Sequence, residues 1–374
     1  MARPKNPSRR KFLKGDAPSQ SPTGDTITTE SLADWVADPQ AEAYLIRIGR
    51  RAMACQFQIF LNAGQYADDS EMAIGALDEI DELEALLTVY RADSEVSTVN
   101  DRAAAEAVTL SDSLAELLEL CLKIFEATDG AFDVTAGPLA DLWSRARRSG
   151  SVPPKEAVAN ALTNVGSELL RLDHKKQQVR FLRPGVSLNF GGIGKGFALE
   201  AASRHLKLQG VENFLFHGGR SSVLASGCRA SGSGEEPWRV GLVDPLRPSE
   251  RLAEIVLRDR ALSTSGSQAQ SFQYRGRRYG HILDPRSGFP AEGNILSATV
   301  MHPDAAWADA LSTALYVLGS EKAVEFCRAH PEIAAILIVP GRGTGNLEIK
   351  TSGLSPDEWR LVTEQKIPIR RVDG

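Results

Sequence analysis

The sequence predicts an α+β fold, a mixed α/β class in which largely antiparallel sheets are flanked by helices. Short apolar or alternating runs at residues 55–61, 223–225 and 297–301 have the length and period of strands. Between them lie longer stretches with apolar residues at helical spacing, such as Leu77, Ile80, Leu83 and Leu87. The two kinds of element intermix without a repeat period, and short turns join several of the strands, which calls for antiparallel pairing.

With 374 residues and 42% hydrophobic content, the chain can bury a sizeable core as one large domain. Its net charge of −5 argues against a general nucleic-acid binder, and no apolar run is long enough for a membrane span. Cys55, Cys121, Cys228 and Cys327 lie far apart with no C-x-x-C spacing. They read as buried free thiols rather than as a zinc site or a disulfide framework.

Residues 1–40 read as a disordered segment, 41–365 as the folded domain and 366–374 as a tail. Within the first segment, Ser8-Arg9-Arg10-Lys11-Phe12-Leu13-Lys14 matches the twin-arginine export pattern. The polar run at residues 15–22 cannot serve as the apolar segment such a signal needs, so a basic tail and a cytoplasmic location are favoured.

Residues 44–48 and 55–61 are strands joined by a hairpin through 49–53. Ser70 caps the helix that carries Leu77, Ile80, Leu83 and Leu87, and residues 89–97 form a polar loop with one aromatic, Tyr90. A second amphipathic helix starts near Ser111, with Ser113 and Glu116 in capping-box relation, and Gly130 closes it. Residues 140–148 are helix-like, Pro153-Pro154 opens another helix, and strands at 169–172 and 179–182 flank a turn at 173–176. A strand at 186–190 then feeds Gly191-Gly192-Ile193-Gly194-Lys195-Gly196 and an alanine-rich helix up to Gly210. Strands follow at 214–216, 223–225 and 238–242, and residues 262–267 read as a hydroxyl-rich loop. His281 lies just before the turn at 284–288. After the strand at 297–301, Asp304 caps a helix from Ala305 to Leu318, which Gly319 stops and Ser320 restarts as far as His330. Strands at 334–339 and 359–362 close the chain.

Four features bear on chemistry. The glycine cluster at a helix start suits an anion, with Lys195 adding a full charge, although it has neither Walker A nor Rossmann spacing. By itself it is equally a tight turn that needs small residues. Asp309 and Thr313 stand at i and i+4 in an otherwise small and apolar helix, so one face offers a carboxylate and a hydroxyl to a hard cation. The plainer alternative puts Asp309 in solvent or on a neighbouring amide. His281 is either a general base or structural. Thr264-Ser265-Gly266 can bind phosphate or form an ordinary turn. Tyr90, Phe132 and Trp143 can stack on a ring or fill a core, and Arg275, Arg277 and Arg278 read as a solvated hairpin.

Over residues 42–365 these pieces resemble the ApbE family of FAD:protein FMN transferases in order and spacing. The matching runs are Arg51-Ala52-Met53-Ala54-Cys55, Tyr90-Arg91-Ala92-Asp93-Ser94-Glu95, residues 130–139, the glycine cluster, Thr264-Ser265-Gly266, residues 281–288 and residues 308–314. The resemblance implies an Mg²⁺-dependent transferase that cleaves FAD, attaches FMN by a phosphoester bond to a Thr or Ser of an acceptor flavoprotein, and releases AMP. It implies His281 as the base and Gly192, Asp309 and Thr313 as metal ligands. Met53, Tyr90, Ala131, Phe132, Asp133, Asn189 and Ile282 fall where the family contacts FAD. Lys195 and the loop amides fall on the pyrophosphate. This chain has Asn189 where the family usually has Asp, Arg220 where an acidic residue is favoured, and Cys55 in place of a common threonine. FAD pyrophosphatase activity and a catalytically silent flavin-binding module are the alternatives.

Overall fold

Ten strands lie side by side in chain order in the main sheet of the computed structural model, which describes residues 26–28, 44–232, 234–266, 271–343 and 345–373. They are β1 (Thr26–Thr28), β2 (Leu45–Ala52), β3 (Cys55–Asn62), β4 (Phe214–Gly218), β5 (Ser222–Ser226), β6 (Arg260–Gly266), β7 (Ser297–His302), β8 (Ala334–Pro340), β9 (Leu347–Ser352) and β10 (Ile369–Arg371). Every neighbouring pair is antiparallel except β9 with β10. The helices are α1 (Asp69–Leu87), α2 (Glu95–Arg102), α3 (Asp112–Ala127), α4 (Gly137–Arg148), α5 (Lys155–Leu162), α6 (Gly194–Leu208) and α7 (Ala305–Ala329).

Both faces of the sheet are covered. On one side α1 packs on α6, α6 on α7, and α7 on β6 and β7. On the other lies a three-stranded sheet of Trp238–Asp244, Arg247–Leu257 and Trp359–Leu361. Strand β8 shows the consequence: Ala335, Leu337 and Val339 join the core under α7, while Ala334, Ile336 and Ile338 join the core under the outer sheet. A strand buried on both faces reads as a continuous apolar run, which is how residues 334–339 look in sequence.

Local signals set several boundaries. The Asp304 side chain accepts the Trp307 N–H at 2.9 Å, capping α7. Gly319 breaks that helix with φ 76°, a conformation open to glycine, before the chain turns helical again. Ser111 caps α3 by accepting the Leu114 N–H.

Other expectations are corrected. Strand β2 runs on to Ala52, so the hairpin turn is Met53-Ala54, both at positive φ (48° and 59°), rather than residues 49–53. That two-residue turn matches the twist of the flanking strands. Ser70 lies inside the first turn of α1, whose N-cap is Asp68, and Ser113 lies inside α3. Part of the expected loop at 89–97 opens α2, because Ser94 accepts the Ser97 N–H at 3.0 Å and buries Val96 and Val99 behind it. Residues 186–190 are no sheet strand: only Ser187 bridges, to Ala136, while Leu188 is held by the Asn100 side chain through its N–H and C=O. Residues 262–266 belong to β6, near the middle of the main sheet, where α7 gives partners to the Ser263 and Ser265 hydroxyls and β7 to that of Thr264.

Two stretches assigned outside the domain carry strands. Thr26–Thr28 pairs with β2, and Ile369–Arg371 pairs with β9, followed by Val372, which is buried and whose C=O accepts from Arg328. The twin-arginine run lies outside the described residues.

Candidate active site

The site is assembled where the turn before α6 meets the middle of α7. The two helices approach closely because Gly196 has no side chain: a Cβ there would stand 2.1 Å from the Ala305 carbonyl oxygen. This contact brings the glycine turn against α7. The Cβ position of Gly192 is 3.7 Å from Thr313 Oγ1 and 3.4 Å from the Phe132 ring. Gly192, Thr313 and Phe132 are therefore neighbours.

Asp309 lies one turn before Thr313 and is only 3% exposed. Its Oδ2 accepts the Gly196 N–H at 3.0 Å and lies 3.5 Å from Lys195 Nζ. Its Oδ1 accepts hydroxyls from Ser222 at 3.1 Å and Ser263 at 2.8 Å. A buried carboxylate needs such compensation, and here an amide, two hydroxyls and an ammonium supply it. Ser265 extends the network, with its Oγ 2.9 Å from Ser312 Oγ and 3.1 Å from Thr313 Oγ1. Ser222 and Ser263 were not among the residues expected from sequence. Period-2 alternation in residues 262–266 is the signal for Ser263, once the stretch is read as a strand.

The same alternation removes Thr264 from the site. Its hydroxyl pairs with Thr299 at 2.9 Å on the opposite face of the sheet. Asp133 is likewise directed inward: Oδ1 accepts from the Thr135 N–H and hydroxyl and from the Ser167 hydroxyl, and Oδ2 from the Ser167 N–H. Burial raises its pKa, an effect these bonds oppose. Its carboxylate fixes the loop after Phe132. Several loop amides are also committed. Gly191 donates to Asn189 Oδ1, Ile193 and Gly194 donate to the Phe190 carbonyl, and Gly196 donates to Asp309. Amides that the sequence assigned to an anion thus largely hold the turn together.

The remaining candidates surround this centre. Ala131 and Phe132 are buried, and Gly266 ends β6 next to Ser265. Met53 sits half-buried at the β2–β3 turn, next to Cys55, which contacts Gly219. Burial pushes the Cys55 thiol up to about 11, so it stays neutral near pH 7. Tyr90 is 87% exposed on the loop after α1. His281 is exposed where the hairpin of Ser271–Tyr274 and Arg277–Gly280 ends, and Ile282 next to it packs into the core. Aromatic packing fixes that hairpin: Phe272 stacks on Tyr279 at 5.4 Å, and Tyr279 lies 5.8 Å from Trp143. Trp143, whose Nε1 donates to the Gly288 carbonyl, is core and not a platform for a ligand. Arg220 is exposed.

Gly192, Thr313 and Asp309, the metal ligands that the resemblance implies, carry oxygen donors alone, with a single carboxylate. Among the described residues no group of three or more His, Cys, Asp or Glu forms a self-sufficient metal cage. That chemistry fits a hard cation whose coordination the oxygens of a phosphate ligand complete. The cavities of about 670 Å³ beside the outer sheet and about 220 Å³ beside α3 are lined by none of these residues.

Fold and site together define an α+β protein with an oxygen-donor centre between a glycine turn and a buried helix. The ApbE family model matches residues 53–337, and the chain belongs to that family. An FAD:protein FMN transferase of Haemophilus influenzae is 28% identical, over 84% of this chain and 92% of its own. One from Klebsiella pneumoniae is 31% identical, over 74% of this chain and 85% of its own. Among solved structures, the flavin transferase ApbE from Vibrio cholerae superimposes with a TM-score of 0.72 at 26% identity, covering 83% of this chain and 97% of that one.

Proposed function

We propose that this protein is an Mg²⁺-dependent FAD:protein FMN transferase. The observation that carries the reading is the meeting of Thr313 and Asp309 with the Gly192 turn, in a chain of this family. On this reading FAD lies with its pyrophosphate between the turn and α7, and Phe132 and Tyr90 contact the ring system. The acceptor is a flavoprotein presenting a Thr or Ser hydroxyl. Bound Mg²⁺, held by Asp309, Thr313 and the Gly192 carbonyl, would neutralise charge on the phosphate oxygens. His281 takes the hydroxyl proton as the acceptor oxygen bonds to the FMN phosphorus and the bond to the AMP phosphate breaks. AMP leaves with the electron pair of that bond. Lys195 offers its charge to the pyrophosphate, and Ser265 keeps the Thr313 hydroxyl oriented through their 3.1 Å contact.

The test is incubation with FAD and Mg²⁺, with and without candidate acceptors, followed by mass spectrometry of the acceptor and assay of AMP. A covalent FMN adduct with stoichiometric AMP, both abolished by chelation, is expected. AMP release that needs no acceptor makes the protein a pyrophosphatase instead.

A further inference from the structure

The Asp309 carboxylate has two unlike oxygens. Oδ1 is fixed by hydroxyls from β5 and β6. Oδ2 takes one amide and faces the Lys195 ammonium at 3.5 Å. Lys195 is one residue before Gly196, whose packing on Ala305 fixes the start of α6 against α7. The lysine side chain is 24% exposed and that of Asp309 5%, so the pair is poorly screened by solvent. A second cation cannot share Oδ2 with the ammonium without repulsion.

We infer that Lys195 competes with a divalent cation for Asp309, and that an arriving phosphate relieves the competition by giving the ammonium another partner. The inference rests on the metal role proposed above for Asp309. It makes the two ligands interdependent: the cation displaces Lys195 toward the phosphate, and the phosphate draws Lys195 off the carboxylate. By linkage the effect is reciprocal, each ligand tightening the other by the same factor. The chain then holds a cation weakly until a dinucleotide is present, which restricts futile loading.

The decisive measurement is Mn²⁺ binding to the full chain without nucleotide, followed by electron paramagnetic resonance. Lys195→Met is expected to bind Mn²⁺ on the order of tenfold more tightly than the wild type, because the competing charge is gone. Lys195→Arg keeps that charge and is expected to bind like the wild type. Melting curves provide a second readout, with Mn²⁺ raising Tm more in Lys195→Met than in the wild type. If the methionine variant fails to fold, Lys195→Gln takes its place. Mn²⁺ binding to wild type with equal or weaker binding to the neutral variant overturns the inference and leaves the metal reading standing. Binding to neither protein, even after FAD is added, overturns both.

Discussion

Asp309 lies 3% exposed beneath α6, with donors from four other residues on its carboxylate, whereas Tyr90, on the loop after α1, is 87% exposed. On the proposed reading Asp309 serves the pyrophosphate of FAD and Tyr90 its ring system. The polar end is preorganised, so charge arriving there meets groups already in place. The other end leaves apolar ring surface in water, and on the proposed reading the ligand itself covers it. Substitutions at the first end should therefore cost stability or chemistry, and substitutions at the second should cost binding alone.

The largest effect expected is on Asp309. Asp309→Ala removes the proposed metal carboxylate and the acceptor for Ser222, Ser263 and Gly196. FMN transfer should fall by about 10³-fold or more, measured as adduct formed per unit time, since a metal supplies several kcal/mol of charge stabilisation. Transfer at an undiminished rate would break the contrast at its buried end.

Gly196→Ala comes next. Its methyl would meet the Ala305 carbonyl at 2.1 Å, a backbone group with little freedom to retreat. A loss of about 3 kcal/mol in urea unfolding is expected.

A comparable effect attaches to His217, at the buried end of β4. Burial lowers its pKa from 6.5 to about 4, and its Nδ1 lies 2.9 Å from the Gly219 carbonyl oxygen. Between those two values the unfolded chain carries a proton on His217 that the folded chain refuses. Unfolding free energy should fall as pH drops through that window, by up to about 3 kcal/mol, and be fully present above it. In His217→Phe, which keeps an aromatic ring against Phe60, that part of the pH dependence should vanish from denaturant melts.

The smallest effect belongs to the exposed end. Tyr90→Ala should change stability by less than about 0.5 kcal/mol and weaken FAD binding by about 1 kcal/mol, read by fluorescence titration. A large loss of stability would show that Tyr90 is part of the core after all, and the contrast would fail.

Much of the candidate site was legible locally. The helix with Asp309 and Thr313 on one face, its Asp304 cap and its Gly319 break are properties of neighbouring residues, and all stand in the structure. What failed was the environment. The hydroxyl-rich stretch around Ser265 looks like a loop because buried hydroxyls are costly without partners, and those partners sit on α7. Likewise, the bonds that the Asp133 carboxylate accepts from Ser167 span 34 residues, beyond the reach of any local pattern.

From the chain alone came the class of fold, the glycine turn and the face of α7, since periodicity, capping and left-handed glycine act over a few residues. Only the tertiary structure set Gly196, Ser222 and Ser263 around Asp309, across separations of 113, 87 and 46 residues. Which residues satisfy a buried charge depends on how the sheet and helices pack together, and no local pattern encodes that.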